Sequence, residues 1–151
     1  MFRGRFECRV DQKGRLLLPT AYRQALPSKE KSLVITNSLY KGRRCLDVYS
    51  LKEWEKLEKK VAKMPSFRAE VQAYQRFYLA SGQVVEADKN NRLLVPQTLR
   101  KFSDLTDEVV CVGMGHKFEI WSSDVWNQLF SGMAENFENI LATIADIEEV
   151  D

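Results

Sequence analysis

At 151 residues, 44% of them hydrophobic, the chain holds one ordinary domain or two very small ones. All 23 Lys and Arg lie at or before Lys117, against 13 acids there, while the last 34 residues carry eight acids and no Lys or Arg, a basic body with an acidic tail that is common among nucleic-acid binders. Three widely spaced cysteines, Cys8, Cys45 and Cys111, argue against a disulfide framework or a zinc site, and without an 18-residue apolar run or a signal-peptide stretch after Met1 the expectation is a soluble, cytoplasmic protein.

Residues Arg5 to Val10 alternate, with Phe6, Cys8 and Val10 on one side and Arg5, Glu7 and Arg9 on the other, the period of a half-buried strand. Asp11-Gln-Lys-Gly14 has the chemistry of a type I turn closed by a glycine in the left-handed region, predicting a tight hairpin into Arg15-Leu-Leu-Leu18. Pro19 ends that strand and introduces a short helix, Thr20 to Leu26. Apolar strands follow at Ser32 to Thr36 and Cys45 to Tyr49. Ser50-Leu-Lys-Glu53 then has the form of a capping box, opening a helix with Leu51, Trp54, Leu57 and Val61 on one stripe. Met64-Pro65-Ser66 breaks it, and a further helix, about Phe67 to Ala80, places Val71, Tyr74 and Tyr78 on a common face.

After Gly82 the pattern begins again. Asp11-x-x-x-Arg15-Leu-x-x-Pro19 returns as Asp88-x-x-x-Arg92-Leu-x-x-Pro96, an offset of 77, with Asn91 at the Gly14 position. Asn is the non-glycine residue best able to take a positive φ, so the same turn is expected. Arg23 falls on Arg100, and Leu33-Val-Ile falls on Val110-Cys-Val at the same offset. Trp54 answers Trp126 at an offset of 72, which assigns the loss of five residues to one loop. The predicted second set is a helix over Gln97 to Phe102 and strands over Val109 to Val112 and Lys117 to Trp121. The segmentation is therefore repeat 1 with its helix at 1–63, a helical linker at 64–80, repeat 2 at 81–131 and a helical acidic tail at 132–151. Met133, Phe137, Ile140, Leu141, Ile144 and Ile147 recur along that tail at helical spacing. Such a stripe is ordinary packing surface or a docking helix for a neighbouring subunit.

The chemistry-bearing motif is the turn. Lys13 and Arg15 beside Asp11, with Arg3, Arg5 and Arg9 nearby in sequence, make a compact cationic surface, repeated as Lys89 and Arg92 beside Asp88. Arg offers a planar fork of donors for phosphate oxygens or a guanine edge, and Lys a mobile charge. Asp11, Gly14, Asp88 and Asn91 are assigned to shaping the turns. An Asp and an Arg four apart across a turn also form ordinary ion pairs, worth under about 1 kcal/mol when exposed. Duplication in register favours a bound polymer. The lone histidine, His116, has no nucleophile or carboxylate in a convincing motif with it, and Gly113 and Gly115 lack the spacing of a phosphate-cradling loop, so no enzyme, cofactor or metal is expected.

Met1-Phe-Arg-Gly4, Asp11-x-x-Gly-Arg15-Leu-x-x-Pro19, Tyr49-Ser-Leu-x-Glu53-Trp54, Gln75-Arg76-Phe77-Tyr78 and Val112-Gly-Met-Gly-His-Lys-Phe118-Glu-Ile-Trp121, in that order, closely resemble the MraZ family of bacterial regulators over residues 1 to 130. The resemblance implies an α+β fold of two tandem AbrB-like swapped-hairpin β units, paired within one chain as a pseudo-dimer with flanking helices. It also implies ring-like homo-oligomers that bind repeated double-stranded DNA elements and repress their own division and cell-wall operon, with nucleoid association, no membrane and no small-molecule substrate. The family's DNA contacts fall on Arg15 and Arg92. Lys13, Lys89, Arg3 and Arg5 support them on phosphates, and the departure at Asn90-Asn91 makes the first turn the stronger contact. The rival reading is a self-assembling interaction module whose basic turns bind acidic partners.

Overall fold

The computed structural model describes residues 1–27 and 30–150, with the side chains of 149 and 150 left aside. In chain order the elements are β1 (Arg5–Arg9), β2 (Arg15–Leu17), α1 (Thr20–Ala25), β3 (Ser32–Tyr40), β4 (Arg43–Ser50), α2 (Leu51–Ala62) and α3 (Ala69–Tyr74), which runs on as a π-helical turn, Gln75–Leu79. Then come β5 (Gln83–Glu86), β6 (Arg92–Leu94), α4 (Gln97–Ser103), β7 (Glu108–Gly113), β8 (Lys117–Ser122), α5 (Ser123–Glu135) and α6 (Phe137–Val150).

The expected hairpin between β1 and β2 narrows to a single bridge, Val10 to Leu16. Each arm goes to the other copy instead: β1 pairs with β7, β5 pairs with β3, and β2 pairs with β6, all antiparallel. A two-stranded hairpin alone is marginal in water, whereas exchange adds each outer arm to a larger sheet. The result is a six-stranded sheet in the order β1-β7-β8-β4-β3-β5 and a separate β2-β6 ribbon. Both are symmetric under exchange of the copies, with a pseudo-twofold axis passing between Leu16 and Leu93 in the ribbon and between Asp47 and Glu119 in the sheet. Two tandem copies in a mixed α+β fold are thus joined by strand exchange.

Exchange also corrects the register of the repeat. Cys8 pairs with Val109 on one side and Val85 pairs with Leu33 on the other, so Leu33 corresponds to Val109, not to Val110. Strand side chains alternate, and a one-residue slip would have sent every one to the wrong face. One residue is lost between α1 and β3 and four in the β3–β4 connection, not five in one loop. The longer first hairpin closes through Lys41 and Gly42, both at positive φ.

The ribbon lies across one face of the sheet. Leu16, Leu18, Leu93 and Val95 pack with Leu33, Ile35, Leu46, Val48 and their repeat-2 counterparts in one core, together with Tyr22 and Leu99. On the other face of repeat 1, Trp54 and Tyr78 cover Val34 and Tyr49. Only half of the capping box forms: Ser50 Oγ accepts from Glu53 N at 3.1 Å, while the Glu53 carboxylate turns to Lys56. The predicted linker helix begins two residues late, at Ala69, and widens at Gln75, where Ala80 N donates to Gln75 O.

Candidate nucleic-acid interface

The two turns are built alike. Asp11 Oδ1 accepts from the backbone N–H groups of Lys13 and Arg15, both at 2.9 Å, and Oδ2 from Arg15 Nε at 2.8 Å. Asp88 repeats this with Asn90 N at 2.8 Å, Arg92 N at 3.0 Å and Arg92 Nε at 3.2 Å. Hydrogen bonds from the Arg15 and Arg92 backbones hold the Asp11 and Asp88 carboxyls below their ordinary range, so both turns stay ionised and intact at neutral pH. Gly14 at φ +87° and Asn91 at φ +62° occupy the same left-handed position. Asp11 and Gly14 thus hold the same places in the first turn as Asp88 and Asn91 in the second.

The ion pair is real and does not exhaust the arginine. Both guanidiniums engage their aspartate through Nε, and among the described residues neither arginine's terminal amino groups have a protein partner. The two side chains are 31% exposed, alike in both copies. Each aspartate orients a donor fork outward, as a bidentate contact to phosphate or base requires.

The ribbon brings the arginines together. Arg15 stands opposite Leu94 and Leu17 opposite Arg92, so all four share the outer face while Leu16 and Leu93 point into the core. Diagonal neighbours across an antiparallel pair lie about 7–8 Å apart. Leu18 N donates to Asn91 O and Val95 N to Gly14 O, which fastens one turn at each end of the ribbon. Lys13 and Lys89, both exposed, therefore flank the arginines from opposite ends of the ribbon. Leu17 and Leu94, 59% and 54% exposed, form an apolar patch between the arginines. Sequence reasoning passed over these two residues; their signal was the second leucine of Arg-Leu-Leu, two residues from the arginine and so on its outward face.

Arg3 and Arg5 are not gathered with this face. Arg5 sits at the far end of β1, six residues and about 20 Å of strand from Asp11, and its guanidinium stacks over Phe130 at 4.6 Å and Trp126 at 5.8 Å. Arg3 lies in the arm that runs beside the β7–β8 loop, between Phe2, which bridges to Gly115, and Gly4, whose carbonyl accepts from Gly113 N. The strand geometry separates them from the turns that sequence proximity suggested.

A second polar site marks the axis on the sheet. Asp47, 0% exposed, accepts from Lys117 Nζ at 2.8 Å and from the Tyr78 hydroxyl, which also shares a hydrogen bond with Tyr49; its Oδ1 has no partner among the described residues. Cys45, Asp47 and Glu119 offer ligand-type atoms within 4.8 Å of one another. Lys117 already supplies a cation there, and burial, with the nearby carboxylates, pushes the Cys45 thiol up, away from the thiolate a metal would need. The arrangement is an ion-pair network rather than a metal cradle. His116 is exposed in the β7–β8 loop beside the Tyr49 ring. No helix among the described residues is long and apolar enough to cross a membrane.

Two copies of one unit, exchanging strands about a pseudo-twofold axis and presenting a single basic ribbon, define a double-domain protein of the AbrB-like class. The family comparison gives this class a name. The chain belongs to the MraZ family, described as "MraZ protein, putative antitoxin-like", whose model matches residues 1–77 and 79–147. This is a regulator-like, non-enzymatic family, and the second match runs through α5 and most of α6.

Proposed function

We propose that this protein is a DNA-binding transcriptional regulator, a repressor of its own division and cell-wall operon, that reads repeated promoter elements with the β2-β6 ribbon. The observation that carries the reading is the shared outer face of Arg15 and Arg92. A two-stranded ribbon fits the major groove of B-DNA, where each guanidinium reaches a guanine edge or a phosphate and Leu17 and Leu94 meet apolar base edges such as the thymine methyl. Lys13 and Lys89 extend the contact to phosphates on either side. Arg3 and Arg5, remote from the ribbon, contribute to the general field and make no direct contact. The pseudo-twofold axis makes the two turns equal partners in this reading, although Asn91 replaces Gly14.

One ribbon supplies few phosphate contacts. Useful affinity at physiological salt therefore comes from a ring-like homo-oligomer, nucleoid-associated in the cell, that engages several repeats at once by effective concentration. Fluorescence anisotropy with DNA from upstream of the protein's own gene tests this at two salt concentrations. Arg15→Ala and Arg92→Ala are each expected to weaken binding by about 1–3 kcal/mol, and Lys13→Ala to lower the salt slope by about one with little change in sequence preference. Unchanged affinity in the double arginine variant would sink the reading. The rival interaction module draws support from the split between basic body and acidic tail; it predicts no DNA binding at any salt.

A further inference from the structure

The two copies differ in what fills the groove beside their equivalent tryptophans. In repeat 1 the linker closes it: the Tyr78 ring lies 6.0 Å from Trp54 and 6.2 Å from Tyr49, and its backbone carbonyl accepts from Thr36 Oγ1. Trp54 is buried as a result. In repeat 2 no linker tyrosine faces the equivalent ring: Trp126 is met by the Arg5 guanidinium, 5.8 Å from its ring, and by Phe130 of its own helix. Trp126 is only half-buried, and a groove of about 740 Å³ opens between the β1-β7 edge and α5–α6, walled by Trp126, Phe130, Met133, Phe137 and Ile140 with Arg5 on the β1 side. Repeat 1 shows what such a groove accepts: an aromatic side chain from a short helical segment.

The chain presents such a side chain elsewhere. Phe67, in the corner between α2 and α3, is 96% exposed, with Met64 exposed beside it. A lone, nearly bare phenylalanine beside a second exposed apolar residue is a candidate anchor for a pocket on a partner. The charges agree. Residues 51–80, which carry this corner, have seven Lys and Arg against four acids, whereas the helices of the groove, residues 123–148, have five acids and no Lys or Arg, so the groove side stays acidic with Arg5 in its wall.

We infer that the α2–α3 corner of one copy docks, with Phe67 leading, into the α5–α6 groove of a second copy. The contact joins two different surfaces, so each protomer keeps one knob and one groove free for the next, and repetition closes a ring if the rotation allows. This deepens the self-assembly element of the proposed function, naming its surface, and is independent of whether the ribbon binds DNA.

Sedimentation velocity on the full chain tests it. Phe67→Asp, at a site with almost no burial to lose, and Phe130→Glu, on the exposed groove wall, are each expected to abolish the assembly, with circular dichroism melts confirming the fold. A mixture of the two variants retains one intact knob and one intact groove, and should form a 1:1 heterodimer and nothing larger. Lys59→Glu with Lys60→Glu should weaken self-association by about tenfold or more, equivalent to at least about 1.4 kcal/mol, and Glu135→Lys with Glu138→Lys in the same chain should restore it. Assemblies unchanged by Phe67→Asp, or a mixture that stays monomeric, overturn the inference. If DNA binding by the wild type is still lost in the Arg15/Arg92 double variant, the regulator reading survives that failure.

Discussion

Repeat 1 and repeat 2 share a backbone plan yet differ wherever one has a residue to spare. At the turns Gly14 faces Asn91. Gly14 is buried, and a Cβ there would lie 2.5 Å from Arg100 Cζ, because Arg100 lies across the turn and donates from Nε to Val95 O at 3.1 Å. The equivalent Arg23, in a cleft shared with Asn91, donates instead to Thr20 Oγ1, and its buried Nε has no partner among the described residues. On the sheet, Lys117 occupies the position that Cys45 holds in repeat 1, and the buried Asp47 opposes the half-buried Glu119. Exact doubling of repeat 1 would place two acids side by side with no cation. The divergence of the copies supplies one in Lys117, which donates to Asp47 at 2.8 Å.

The largest effect should come from removing that cation. Lys117→Met leaves Asp47, without exposed surface, facing Tyr78 alone, and an uncompensated buried charge costs about 3–5 kcal/mol. Cys45→Ala, at the equivalent position, removes only a small buried side chain and should cost about 1–2 kcal/mol. Urea melts of the two variants check the ratio. Equal losses would mean that the ion pair is no more than packing.

The turns give the next contrast. Gly14→Ala forces a Cβ into the left-handed region, at about 1–2 kcal/mol, and displaces Arg100 from the Val95 carbonyl. Asn91→Gly removes the strain of a non-glycine residue at φ +62° and should leave stability within about 1 kcal/mol of wild type, since relief of strain is offset by greater freedom in the unfolded chain. Thermal denaturation separates them. If Asn91→Gly proved the more damaging change, the Asn91 side chain would hold something that the backbone conformation alone does not explain.

Much of the plan was legible in the chain. The alternation of Phe6, Cys8 and Val10, the left-handed turn position and the paired Asp-x-x-x-Arg motifs are local signals, and the turns form as they require. Strand exchange is not local: Arg5 to Leu18 reads as a hairpin because sequence pattern says which face of a strand is apolar, not which strand receives it. The resemblance to a known family supplied the swap, and the pairings of β1 with β7 and β5 with β3 show it. The same limit explains the one-residue error at Leu33, since Val109 and Val110 are both buried, on opposite faces. It also explains why Arg5, close to Lys13 along the chain, stacks on aromatic rings far from it.

The smallest effect concerns the partner of Asp47 across the axis. Burial raises the Glu119 carboxyl above its ordinary value of 4.5, although Trp121 Nε1 donates to it at 3.0 Å and lowers it in part. With a raised folded pKa, the native state binds the proton more tightly than the unfolded chain. Stability from this group is therefore greatest below 4.5 and falls as pH rises through the folded value, leaving a penalty at neutral pH. Glu119→Gln keeps an acceptor for Trp121 and removes the charge, so it should raise the melting temperature slightly at pH 7 and flatten its decline above pH 4.5. A variant that is less stable at pH 7, with the slope unchanged, would show that the ionised Glu119 is held by Lys117 as Asp47 is, and that the two acids at the axis are more nearly equivalent than their burial implies.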